Sequence, residues 1–174
     1  MLDIVMIGSS IFEFWGTPKW SSLAVSNNAI RSTVSADWLQ ADLTKLPEAR
    51  HIIVYCGSND LVFGNDTLHI INNVQRLLKQ LKTTFPATHI GYFSIIKCPQ
   101  KQAAKQLGVI DEINGRIKDF CGNQYRYFEF NDFITNDPKW FVDDGLHLTE
   151  QAYAMLDTKI APILQQWRND LANK

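Results

Sequence analysis

The sequence predicts an α/β fold, a three-layer α/β/α sandwich around about five parallel strands. Short apolar runs rich in Ile, Val, Tyr and Phe fall at residues 2–7, 51–56, 89–95 and 125–128, with a shorter one near 29–30. Most lack strict alternation, and near-continuous apolarity marks strands covered on both faces, as parallel strands are. Segments with apolar residues at helical spacing lie between them, so strand and helix alternate with connections long enough for crossovers.

The helical segments have identifiable ends. Residues 35–46 form a short candidate. Residues 67–85 carry Leu68, Ile71, Val74, Leu78 and Leu81 at helical spacing. Asp66 stands at the entry of that helix, where a carboxylate complements the dipole, and Pro86 follows its end. Residues 107–120 set Val109 or Ile110, Ile113, Ile117 and Phe120 on one face. Residues 149–167 begin at Thr149, a suitable N-cap, and turn Tyr153, Leu156, Ile160 and Leu164 inward; Pro162 predicts a kink or a late break.

Composition bounds the rest. A length of 174 residues fits one domain, residues 1–174, with roughly 70% of its unfolded surface buried and no need of a disulfide or metal staple. A net charge of -1, with 45% hydrophobic and 20% charged residues, argues against disorder and supplies no electrostatic footprint for nucleic acid. Cys56, Cys98 and Cys121 are widely spaced and odd in number, without a CxxC pair, so neither a disulfide framework nor a zinc site is expected. No apolar run approaches the ~18 residues of a membrane span. The first ten residues have no basic n-region. The expectation is a cytoplasmic protein that does not insert into membranes.

In parallel α/β sheets ligands bind beyond the carboxyl ends of the strands. Gly8-Ser9-Ser10-Ile11 follows the first strand, residues 27–32 the second, and Gly57-Ser58-Asn59-Asp60 the third; Asp143-Asp144-Gly145-Leu146-His147 precedes the last helix. A hydroxyl, an amide, a histidine and a carboxylate on one rim are the parts of a serine hydrolase. Each part alone has a plainer reading. A serine after a strand is usually a helix cap, and Gly57 to Asp60 is a turn by composition. Asp144 and His147 are spaced so that a tight turn sets the carboxylate against one ring nitrogen, which a purely structural contact would also do.

Taken in order, from Ile4 to about Ala154, these segments resemble the SGNH hydrolase superfamily, the GDSL-type esterases and lipases that include lysophospholipase L1-like enzymes. Gly8-Ser9-Ser10 resembles the first block, Gly57, Asn59 and Asp60 match the third block Gly-x-Asn-Asp, and Asp144 and His147 match the fifth block Asp-x-x-His. The resemblance implies the flavodoxin-like SGNH fold and a catalytic triad of Ser10, His147 and Asp144. It implies an oxyanion hole from the N–H groups of Ser10 and Ser32 and the Asn59 side chain, with Gly57 and Asp60 in support. It further implies a small-molecule ester as substrate and neither metal nor cofactor. Ser9 stands where the family has Asp, and Ser32 where it has Gly. Alignment on Ile11 and Phe12 favours Ser10 over Ser9 as nucleophile. Ser32 keeps the backbone donor but adds a Cβ at a point of close approach.

Several residues invite chemistry without requiring it. Phe12 and Phe14 read as core packing of the first helix, while Trp140 and Phe141 line the site or anchor its loop. Cys56 reads as an inert strand cysteine. His51, His69 and His89 lack metal-ligand spacing and suit surface or strand-edge roles. Lys79, Lys82, Lys101 and Lys105 read as solvated charges. The function expected is hydrolysis of short acyl or acetyl esters, with lysophospholipids also in view. The alternatives are a carbohydrate O-acetylesterase, a thioesterase, or a non-catalytic binding module on the same scaffold.

Overall fold

Alternate residues of the long strands supply two separate apolar faces, and that alternation creates the layers. In the computed structural model, which describes residues 1–20 and 22–172, five strands form one parallel sheet: β1 (Leu2–Gly8), β2 (Val25–Asn27), β3 (Ala49–Tyr55), β4 (His89–Phe93) and β5 (Arg126–Phe128). They are arranged β2-β1-β3-β4-β5. Val5, Ile7, Ile52, Val54 and Tyr92 pack on one side against α2 (Ser35–Gln40), α4 (Thr67–Thr84) and α6 (Leu107–Cys121). Ile4, Met6, Ile53, Tyr55 and Phe93 pack on the other side against α1 (Ser10–Glu13) and α7 (Glu150–Ala172). Each fully buried aliphatic or Phe side chain contributes about 1.5–3 kcal/mol, so the sheet is stabilised from both faces.

The helix ends follow their side chains. Asp66 caps α4 by accepting from the His69 N–H at 2.9 Å. Thr149 caps α7, its Oγ1 accepting from the Ala152 N–H at 3.1 Å. Helix α7 runs on through Pro162 to Ala172 rather than breaking there. Leu156, Ile160 and Leu164 keep its inner face buried against the sheet, which offsets the lost proline N–H.

The second strand departs from expectation. It is Val25–Asn27, not 29–30, and Ile30 is exposed. A three-residue edge strand, half-buried throughout, offers too little apolarity to be seen by pattern. Residues 28–30 still run alongside β1, with Asn28 N–H donating to the Met6 carbonyl at 2.8 Å and Ile30 N–H to Gly8 at 2.9 Å. Two short helices, α3 (Ser58–Val62) and α5 (Pro99–Ala103), were also invisible, being too short to show a period.

The strand order reverses between β1 and β3, which opens a crevice at their carboxyl ends. The three cysteines are buried and unpaired. No helix among the described residues is long and apolar enough to cross a membrane. His51 is a core histidine rather than a surface one. Its ring lies 4.4 Å from Trp167, its Nδ1 is 3.1 Å from the Asp3 carbonyl, and burial pushes its pKa down.

Candidate active site

Gly8 ends β1 at φ 140°, and a Cβ there would sit 1.9 Å from the Tyr55 carbonyl oxygen. Only glycine lets β1 and β3 remain paired up to the crevice. The chain then turns through Ser9 into α1, whose first residue is Ser10. A first helical residue has no intrahelical acceptor for its N–H, so the Ser10 amide remains available at the crevice. Ser9 is buried, and its N–H donates to the Tyr55 carbonyl at 3.1 Å.

The Ser10 Oγ lies 3.0 Å from His147 Nε2, joining residues 137 apart in sequence. His147 Nδ1 lies 2.5 Å from Asp144 Oδ2. Asp144 Oδ1 accepts from the N–H groups of Leu146 and His147, each at 2.9 Å. Burial works against ionisation of Asp144, but the hydrogen bonds from the His147 ring and from these two amides outweigh it and hold its pKa below 3.8. An ionised acceptor fixes Nδ1 as the protonated nitrogen and leaves the Nε2 lone pair toward Ser10. This is the arrangement by which an imidazole activates a hydroxyl.

The turn carrying Asp144 and His147 is pinned on both sides. Phe141 and Leu148 form an antiparallel bridge, the Val142 N–H donates to the His147 carbonyl at 2.9 Å, and the Thr149 N–H donates to Trp140 at 3.0 Å. Trp140 and Phe141 therefore anchor the loop. Phe14 is 46% exposed rather than core, and its ring sits edge-on to His147 at 5.1 Å. Phe12, its neighbour, is buried as expected. The Arg31 guanidinium caps the outer side of Phe14 at 5.8 Å and pairs with Glu13 at 3.2 Å.

Asn59 donates one amide hydrogen to the Thr33 carbonyl at 2.9 Å, which leaves the second for a ligand. Thr33 is tied to β1 through Oγ1 and the Gly8 carbonyl at 3.2 Å. Ser32, next to it, has φ 63°, the left-handed conformation that favours glycine. Gly57 precedes α3 as its N-cap at φ 109°, and a Cβ there would press within 2.9 Å of the Ile95 side chain. Asp60 is buried and accepts from both the N–H and the hydroxyl of Ser35, at 3.0 and 2.5 Å. Asn73 donates to the same hydroxyl at 3.0 Å. Asp60 thus ties α2 to α3, and neither Ser35 nor Asn73 carries a motif that would have revealed this.

Lys101 is 1% exposed rather than solvated, and its Nζ donates to the Ser58 carbonyl at 3.0 Å. A cavity of about 520 Å³ lies at the opposite, amino-terminal end of the strands, bordered by Ala49, His51, Phe85, His89 and Arg168. It is remote from Ser10. No cluster of three or more His, Cys, Asp or Glu among the described residues could hold a metal ion.

Known proteins resemble this chain along most of its length. The model of the GDSL-like lipase/acylhydrolase family matches residues 6–155. A GDSL-like lipase from Bacteroides thetaiotaomicron is 16% identical and superposes with a TM-score of 0.78, covering 94% of this chain and 88% of its own. The psychrotrophic esterase EstA from Pseudoalteromonas is 15% identical with a TM-score of 0.77, covering 97% and 100%. A curated Escherichia coli protein, N-acylneuraminate cytidylyltransferase, is 24% identical over 94% of this chain, which spans only 40% of that protein's length. The chain belongs to the GDSL-like lipase/acylhydrolase family.

Proposed function

We propose that the chain is a serine hydrolase that cleaves carboxylic esters of short acyl groups at Ser10. The supporting observation is the unbroken hydrogen-bonded series from Ser10 Oγ through the His147 ring to Asp144. His147 Nε2 takes the hydroxyl proton as Oγ attacks the ester carbonyl carbon. Asp144 holds the ring and stabilises the imidazolium. The N–H groups of Ser10 and Ser32 and the free amide hydrogen of Asn59 receive the oxyanion. An amide suits this task because it donates without being able to protonate the oxyanion. Collapse of the tetrahedral species expels the alcohol, which takes its proton from Nε2. Water, deprotonated by the same nitrogen, then releases the acid from the acyl-enzyme. These steps need no metal or organic cofactor.

The side chains of His147 and Asp144 are 28% and 44% exposed, so the site is open. An open rim suits a small acyl group on a large, solvated alcohol better than a long alkyl chain. That favours an acyl ester of a carbohydrate as a second, narrower reading. The curated relative's name adds support, since it names a sugar derivative as that protein's substrate. The test is labelling with a fluorophosphonate followed by a nitrophenyl ester series and an acetyl-sugar panel. Labelling at Ser10 and a decline in kcat/KM from acetyl to decanoyl esters are the expected results. A folded chain that takes no label is a binding module instead.

A further inference from the structure

We propose that Lys101 is a positioning residue, whose buried ammonium holds the Ser58–Asn59 peptide and thereby the Asn59 amide against the Asp144–His147 turn. The inference rests on the hydrolase reading above. An ammonium group is rarely buried unless paired, because the charged form loses its hydration. Lys101 nevertheless places its Nζ 3.0 Å from the carbonyl oxygen of Ser58, in the peptide that supplies the Asn59 N–H. Burial pushes the pKa of this amine down, as desolvation of a cation must.

The helix that carries Lys101 touches both halves of the site. At its start, the Gln100 N–H donates to the Gly145 carbonyl at 3.0 Å, between Asp144 and His147. Gly145 has φ 66°, and a Cβ there would approach Pro99 and Gln100 at 3.2 Å, so the turn lies directly on α5. Just beyond its end, Gln106 donates to the Leu61 carbonyl of α3 at 3.3 Å. Helix α5 is therefore a five-residue brace between the oxyanion donor and the acid–base pair. A methionine of similar length would fill the same space without the cost of burying charge. Lysine adds a directed donor at the end of the side chain, and that donor meets the backbone beside Asn59.

The test is a double-mutant cycle between Lys101→Met and Asn59→Ala, read on kcat and KM of a short ester. Lys101→Met is expected to lower kcat about tenfold with KM within twofold. In the Asn59→Ala background it should have little further effect, because the group it positions is gone. A folded Lys101→Met chain with unchanged kcat, or losses that multiply in the double variant, overturns the proposal. Lys101→Gln, which keeps an uncharged donor, is carried through the same cycle. If both substitutions unfold the chain, Lys101 serves stability and the positioning role is rejected. The wild-type and Asn59→Ala arms report on the hydrolase reading by themselves. If the wild type cleaves no ester, hydrogen exchange of residues 57–61 still reads the brace. Faster exchange confined to that segment in Lys101→Met supports it, and unchanged exchange overturns it.

Discussion

The Asn59 side chain donates to the Thr33 carbonyl oxygen at 2.9 Å, so the loop after β2 and the first turn of α3 are joined by the residue proposed to receive the oxyanion. One amide hydrogen holds the Thr33 carbonyl, and the other is the one proposed to receive the oxyanion. Asn59→Ala removes both. A fall in kcat of about a hundred- to thousand-fold is expected with the fold intact. Steady-state kinetics with circular dichroism check this, and an unchanged kcat removes Asn59 from the oxyanion hole.

Ser10 and Ser9 separate cleanly. Only Ser10 reaches His147 Nε2, at 3.0 Å. Ser10→Ala should lower ester hydrolysis by at least about 10⁴-fold, while Ser9→Ala keeps most of it. The comparison is a rate assay with mass spectrometry of the phosphonylated peptide. A label on Ser9 overturns the assignment.

Ser32 occupies a left-handed conformation at φ 63° that costs a residue with a Cβ roughly 1–2 kcal/mol. Ser32→Gly relieves that strain but frees the unfolded chain, so the net gain in stability should be no more than about 1 kcal/mol. Activity should persist, because only the backbone N–H is proposed to act. Urea unfolding and kcat together test this; a tenfold loss of rate would show that the serine side chain matters.

Glu129 accepts from Ser94 Oγ at 2.6 Å, Asn131 Nδ2 at 2.8 Å, Tyr127 OH at 3.0 Å and Asn131 N–H at 3.1 Å. Burial works against its ionisation, but these donors outweigh it and hold its pKa below 4.5. A carboxyl whose pKa is lower folded than unfolded stabilises the fold above the unfolded value, and that contribution is lost as pH falls through the folded value. Wild type should therefore exceed Glu129→Gln in stability at pH 6 and lose that advantage in acid. Denaturant unfolding at pH 6 and at about pH 3 measures the difference. A gap independent of pH contradicts it.

Gly8 admits no side chain, since the added Cβ would overlap the Tyr55 carbonyl. Gly8→Ala should destabilise the fold by roughly 3 kcal/mol, read from the midpoint of chemical unfolding.

The apolar runs of β1, β3, β4 and β5 and the periodicity of α4, α6 and α7 are local signals, and they alone determined the layered α/β architecture. The blocks around Ser10, Asn59 and Asp144–His147 each have a plainer local reading, and they were legible as a site only through their order along the chain, which resembles that of a known family. Tertiary structure decided what lies between segments. Strand order β2-β1-β3-β4-β5 brings Ser10 to His147 across 137 residues and sets the Thr33 carbonyl against Asn59. It also decided that Phe14 leaves the core for the edge of His147, whereas Phe12 stays inside. The edge strand β2 escaped notice because it has only three half-buried residues. Lys101 escaped it because charge in a sequence implies solvent. The burial of its ammonium depends on α5 lying between α3 and the Asp144–His147 turn, two distant parts of the chain, a placement that no local pattern encodes.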